Sequence, residues 1–112
     1  MTITATVLIE PKLAEAVDTV QYTASGVDAI IDKFTVTNTG AAAATITVNL
    51  VTNLGTVSAA NRIVAARTIA MGETYTCPEL IGHVLKDADY ISTVASAATT
   101  LTIRASGREI TL

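Results

Sequence analysis

Alternation of apolar and polar residues, the period of an extended strand, runs through most of the 112-residue chain. Thr2 to Ile9 alternates threonine with apolar residues, which predicts a first strand or an extended N-terminal arm over residues 1–10. Leu13 to Val17 could make a helical turn after Pro11, but the strand-like Thr19 to Thr23 follows directly and extended structure is expected throughout. After Gly26, Ala29 to Asn38 and Ala43 to Thr52 read as the two strands of a hairpin. Asn38-Thr39-Gly40 would reverse it, because Asn and Gly tolerate positive φ. In the first strand Ile30, Phe34 and Val36 share a face with Asp32; in the second Ile46, Val48 and Leu50 oppose Thr45, Thr47 and Asn49. Phe34, the only Phe, is expected at the centre of the core.

Asn53 to Asn61 lacks periodicity, is broken by Gly55, and reads as a long exposed loop. Ile63 to Ala70 resumes as a strand that Met71-Gly72-Glu73 turns. One helical pattern stands out at Pro78 to Lys86. Pro78 suits the first helical position, Glu79 the positive end of the dipole and Lys86 the last turn, with Leu80, Ile81, Val84 and Leu85 at helical spacing. Ala88 to Ser96 reads as strand, Leu101, Ile103 and Ala105 alternate with Thr102 and Arg104, and Ile110 and Leu112 close the chain. The expected fold is a single all-β domain over 1–112, an antiparallel, jelly-roll-like β-sandwich of about eight strands with one short helix near 78–86. Ala24-Ser25-Gly26-Val27-Asp28 and Ala105-Ser106-Gly107-Arg108-Glu109 echo one another; glycine in such settings predicts a bend or bulge rather than a binding loop.

Composition narrows the function classes. Charged residues are 15% and apolar residues 50% of the chain, with a mean hydropathy of +0.50, apolar for a soluble domain. A surface so sparsely charged predicts burial against copies of itself or another chain. Aromatics are only 4%, too few for a stacking platform or an aromatic ligand pocket. Net charge is −3, and Lys12, Lys33, Arg62, Arg67, Lys86, Arg104 and Arg108 are scattered singly, which disfavours nucleic acid. Neither a signal peptide nor an apolar run of the ~20 residues needed to cross a membrane is visible, so synthesis in a cytoplasm and no membrane partner are expected.

Little catalytic chemistry is legible, and no cofactor is expected. His83 is the sole histidine and Cys77 the sole cysteine, which excludes a histidine-cluster metal site and an internal disulfide. His83 is expected exposed or hydrogen-bonded on the helix, and Cys77 near the helix start has no evident partner to orient a Cys-His pair. Asp87 and Asp89 could share a cation, but without an Asp-rich calcium loop they read better as solvated turn residues. Asp32 is either turned outward by a bulge or buried against Arg67 or Arg104.

Three stretches carry a resemblance: IIDKFTVTNTGAAAATITVNLV at Ile30 to Val51, MGETYTCPELIGHVLKDADYIS at Met71 to Ser92, and LTIRASGREI at Leu101 to Ile110. Together they look like a family of small tailed-bacteriophage virion proteins, among which similar β-sandwiches serve as head decoration (cement) proteins. The motifs describe a scaffold, and Ala88 stands where relatives often carry Gly. The resemblance implies a non-enzymatic virion protein on the capsid exterior, bridging major capsid protein subunits and forming dimers or trimers with itself. A tail, neck or fibre-associated protein is the alternative, and a host-glycan module a weaker one. The expected contact residues are Thr2, Ile3, Thr4, Thr6 and Leu8 in the arm and Asn53, Leu54 and Asn61 in the loop.

Overall fold

The computed structural model describes residues 1–111; Leu112, expected to close the last strand, lies outside the described residues. Among the described residues nine strands form, all but the two-residue β6 and β7 where the period-2 pattern runs: β1 (Thr2–Leu13), β2 (Thr19–Thr23), β3 (Asp28–Asn38), β4 (Ala44–Val51), β5 (Arg62–Ile69), β6 (Thr74–Tyr75), β7 (Val84–Leu85), β8 (Tyr90–Ala95) and β9 (Leu101–Thr111). One sheet has the order β1-β9-β3-β6, with β7 also on β3; the other has the order β2-β8-β4-β5. Every pairing is antiparallel. The strand pairs are nested: β1 with β9, β2 with β8, β3 with β6 and β7, β4 with β5. Such nesting, closed by the β9–β3 and β8–β4 ladders, is a jelly roll. β6 and β7 are two halves of one strand position on β3 that the sequence pattern did not show.

The core lies between the sheets. Ile31, Phe34 and Val36 of β3 and Leu101, Ile103 and Ala105 of β9 face Ile46, Val48, Ile91 and Ala95 of the other sheet, all essentially inaccessible to solvent. Phe34 is fully buried, as its uniqueness suggested.

Four expectations change. β3 and β4 do not pair; the chain crosses from one sheet to the other between them, because both carry apolar faces that must close on one core. Asn38 makes the crossing rather than a hairpin turn. Its buried amide donates to the carbonyls of Ala42 at 2.8 Å and of Ile69, in the opposite sheet, at 2.9 Å, while its oxygen accepts from the Gly40 N–H at 2.9 Å.

The predicted helix is also absent. Pro78–Leu80 makes one 3₁₀ turn, and Gly82, at φ +88°, then redirects the chain. Gly82 donates to the Ile31 carbonyl at 2.8 Å and Ile31 donates to that of His83 at 3.1 Å, so this backbone satisfies itself on β3. Leu80 and Leu85 go inward while Ile81 and Val84 stay exposed, so the four apolar residues share no face.

Thirdly, a bulge in β3 between Ile31 and Lys33 resets the alternation. Ile31 rather than Ile30 is buried with Phe34, and Asp32 turns outward. There Arg108 holds it in a bidentate pair, Nε to Oδ2 and Nη2 to Oδ1, both 2.9 Å. Arg108, and neither Arg67 nor Arg104, is its partner. Beside this bulge β9 requires glycine: a Cβ on Gly107 would stand 1.9 Å from the Ile30 carbonyl oxygen.

Finally, Leu13 to Val17 is extended only to Leu13, and a bend follows before β2.

Candidate functional site

Both expected contact elements stand at one end of the sandwich. The start of β1, the end of β9, and the β2–β3, β4–β5 and β7–β8 connections all lie there, a consequence of the nested strand order. The two elements are built differently.

Thr2 to Leu8 is not a free arm. It belongs to β1, paired with β9 in unbroken register from Thr2↔Thr111 to Val7↔Ser106, at the edge of its sheet. On β9 the buried Leu101, Ile103 and Ala105 point to the core, so Arg108 and Ile110 point outward, and their partners Ala5 and Ile3 do likewise. Thr4 and Thr6 therefore lie on the inner side. Even so, every side chain from Thr2 to Ala5 is exposed, because this end of β1 runs beyond the cover of the second sheet. A register shift between Val7 and Ile9 then turns both Leu8 and Ile9 inward. Leu8 is 5% exposed and is a core residue, not a contact residue. Thr6 is half-buried, and Thr2, Ile3 and Thr4 remain available.

The Asn53 to Asn61 loop is exposed at its tip and pinned at its base. It folds over the outer side of β4, where Asn49 and Val51 are buried beneath it. Asn49 Nδ2 donates to the Ser58 carbonyl at 2.9 Å and to Asn61 Oδ1 at 2.7 Å, and Asn61 Nδ2 donates to the Thr56 carbonyl at 2.8 Å. Tyr90 donates its hydroxyl to the Gly55 carbonyl at 3.1 Å, and the Asn53 N–H donates to Asp89 Oδ1 at 2.8 Å. Asn61 is thus the half-buried hub of the loop, its side chain engaged within the loop. Leu54 is the opposite: 95% exposed at φ +66°, third residue of a turn closed by the Gly55 N–H on the Thr52 carbonyl.

The groups weighed for chemistry are dispersed. Asp87 accepts from the Gly26 N–H at 2.7 Å and Asp89 from the Lys86 N–H at 2.9 Å, so each closes backbone and they do not converge. No group of three or more His, Cys, Asp or Glu able to hold a metal ion occurs among the described residues. His83 is exposed on an extended segment. Cys77 is fully buried, and burial, reinforced by the Glu79 carboxylate, pushes its thiol up to about 12. A thiol so held stays protonated at neutral pH and is a poor nucleophile. Arg67 lies over the Tyr75 ring, 4.3 Å from its centroid, while Tyr75 donates to Glu79. Among the described residues no helix is long and apolar enough to cross a membrane.

The sequence reading missed where the exposed apolar residues gather. Among the described residues, six of the ten large exposed hydrophobic side chains fall within residues 1–20: Met1, Ile3, Val7, Leu13, Val17 and Val20. β1 and β2 are the edge strands of the two sheets, and these residues lie on them and on their connection, Ile3 and Val7 on the outer face of one sheet and Val20 on that of the other. Alternation in β1 predicted one buried face; an apolar stripe facing outward gives the same sequence signal. Comparison with family models, with curated proteins and with solved structures finds no match.

Proposed function

We propose that this chain is a non-enzymatic structural protein of a tailed-bacteriophage virion, a capsid decoration (cement) protein bridging neighbouring major capsid protein subunits on the capsid exterior. It is made in the host cytoplasm and acts through its surface, in copies that associate as dimers or trimers. The resemblance of Ile30 to Val51, Met71 to Ser92 and Leu101 to Ile110 supplies the virion. The jelly roll recurs in capsid proteins, lectins and cupins alike and by itself selects none of them.

The single observation that carries the mode of action is the edge formed by β1 and β2, where the uncharged Thr2–Val7 segment is unpaired on one side and Ile3, Val7, Leu13, Val17 and Val20 are exposed. A solvated monomer gains nothing from this arrangement, whereas a protein that docks edge-on to a lattice does. Individually weak contacts suffice when an oligomer engages several capsid subunits at once, because the first contact raises the effective concentration for the next. Cryo-EM reconstruction of the particle tests the proposal through copy number and location. Copies repeated over the whole head lattice are expected; a few copies confined to the tail would refute the decoration role.

A further inference from the structure

We propose that the first half of β1, Thr2 to Val7, is the dimerisation edge of this protein, pairing antiparallel with the same segment of a second copy so that one sheet runs through both molecules.

The argument begins with the four sheet edges. An unpaired edge offers a row of N–H and C=O groups to any strand that reaches it, and folded proteins protect such edges by shortness, bulges, charge or proline. Three of the four edges here are protected. β2 has five residues and a register shift between Val20 and Tyr22. β5 carries Arg62 and Arg67 and is kinked at Ala66, φ +47°. β6 and β7 have two residues each, separated by the 3₁₀ turn. The second half of β1 is protected as well, by two register shifts and by Glu10, Pro11 and Lys12. Thr2 to Val7 alone has none of these devices: it is regular, uncharged and free of proline, and among the described residues it pairs only with β9.

The second observation is that this segment is complementary to itself. An isologous interface requires the same patch to fit its own copy about a two-fold axis. Setting Ala5 opposite Ala5 of the second copy puts Ile3 opposite Val7 on the outward face and Thr4 opposite Thr6 on the other. Apolar residues then meet apolar residues and threonine meets threonine, both favourable cross-strand pairs, with no charge from either copy in the paired segment. Thr2 to Ala5 is exposed on both faces, so nothing in the fold obstructs the approach. The exposed Ile3 and Val7 would lose solvent contact together with the backbone edge. A second copy is the occupant that these matched pairs specify. The proposal concerns the isolated protein and does not depend on its site in a virion.

Light scattering on the purified protein is the test, with two double variants that remove the same apolar side chains. Wild type is expected at twice the chain's 11.6 kDa. Ile3→Lys with Val7→Lys sets like charges opposite each other across the two-fold and should dissociate the dimer. Ile3→Lys with Val7→Glu sets opposite charges there and should retain it, with association roughly tenfold or more tighter than the dilysine variant. Both positions are exposed and face outward, so both variants should keep the wild-type circular dichroism spectrum, while the dissociated variant melts lower because it lacks the partner that stabilises the folded chain. A single cysteine at Ala5 gives the register: Ala5→Cys should cross-link copy to copy on mild oxidation, the buried Cys77 staying silent, while Met71→Cys, on the opposite side, should not. Wild type at the mass of one chain across the micromolar range, or equal association of the two double variants, would overturn the proposal.

Discussion

Two single residues show how the backbone decides what the sequence could only suggest. Ala88 sits at φ +71° as the third residue of a turn closed by the Asp89 N–H on the Lys86 carbonyl, a position that favours glycine. Gly72 fills the matching position between Ala70 and Glu73 without strain. Relief of a left-handed alanine is worth about 1–2 kcal/mol, against about 0.4–1 kcal/mol of added chain entropy in the unfolded state. Ala88→Gly should therefore stabilise the protein by about 0.5–1 kcal/mol in urea denaturation; a loss of stability would contradict that account of the turn. Gly107 is the converse. With the Ile30 carbonyl oxygen 1.9 Å from where a Cβ would stand, Gly107→Ala must push β3 and β9 apart. It should cost about 2–3 kcal/mol, roughly 10 °C in melting temperature, and an unchanged melting temperature would sink the argument. Asp32 marks the limit of residue-level reading. Its parity with Ile30 and Phe34 was visible, and so was the choice between bulge and burial, but the choice of Arg108 needed the β3–β9 register.

At the scale of elements, period 2 located β2 to β5, β8 and the start of β9 within a residue or two because burial on one side enforces it, while β1 runs four residues past the expected Ile9, β6 is too short to show a period and β7 lies inside the expected helix. Period 2 could not say which strands pair. The hairpin expected from Ala29 to Thr52 failed because Asn38-Thr39-Gly40 makes a tight reversal and a sheet-to-sheet crossing equally well, and Asn38 bonds across the sheets. The helix expected at Pro78 to Lys86 failed because its cues end with one turn. Gly82 breaks the helix, and the free edge of β3 offers its backbone better partners. This segment buries Cys77, which gives it a pH signature. The thiol's folded value lies above its ordinary 9.0, at about 12, so its contribution to stability is complete below pH 9 and lost as pH rises toward 12. The denaturation midpoint should fall from pH 9 upward, and Cys77→Ala should flatten that fall between pH 9 and 10, before the Tyr75 hydroxyl, itself raised from 10 to about 12, contributes. A slope unaltered by the substitution would place the alkaline loss elsewhere.

For the whole molecule, the under-charged composition led to the expectation of a covered surface, and the structure shows where the exposed apolar residues gather. Ion pairs are spread over the molecule, Asp32 with Arg108, Asp28 with Lys86 and Lys12 with Glu15, while six of the exposed large apolar residues fall on β1, β2 and the segments next to them. Of the eight expected contact residues, Thr2, Ile3, Thr4, Asn53 and Leu54 are exposed, Thr6 is half-buried, Leu8 belongs to the core and Asn61 holds its loop together. A bulge and a side-chain network, both long-range features, decide which residues of a strand or loop face water. If the protein decorates a capsid, the edge formed by β1 and β2 should be where it meets its neighbours. A cryo-EM reconstruction of the virion at side-chain resolution tests this most directly. The account predicts this chain repeated across the head exterior with Ile3, Val7 and Val20 buried in contacts; a chain absent from the head, or seated there with that edge facing solvent, would contradict it.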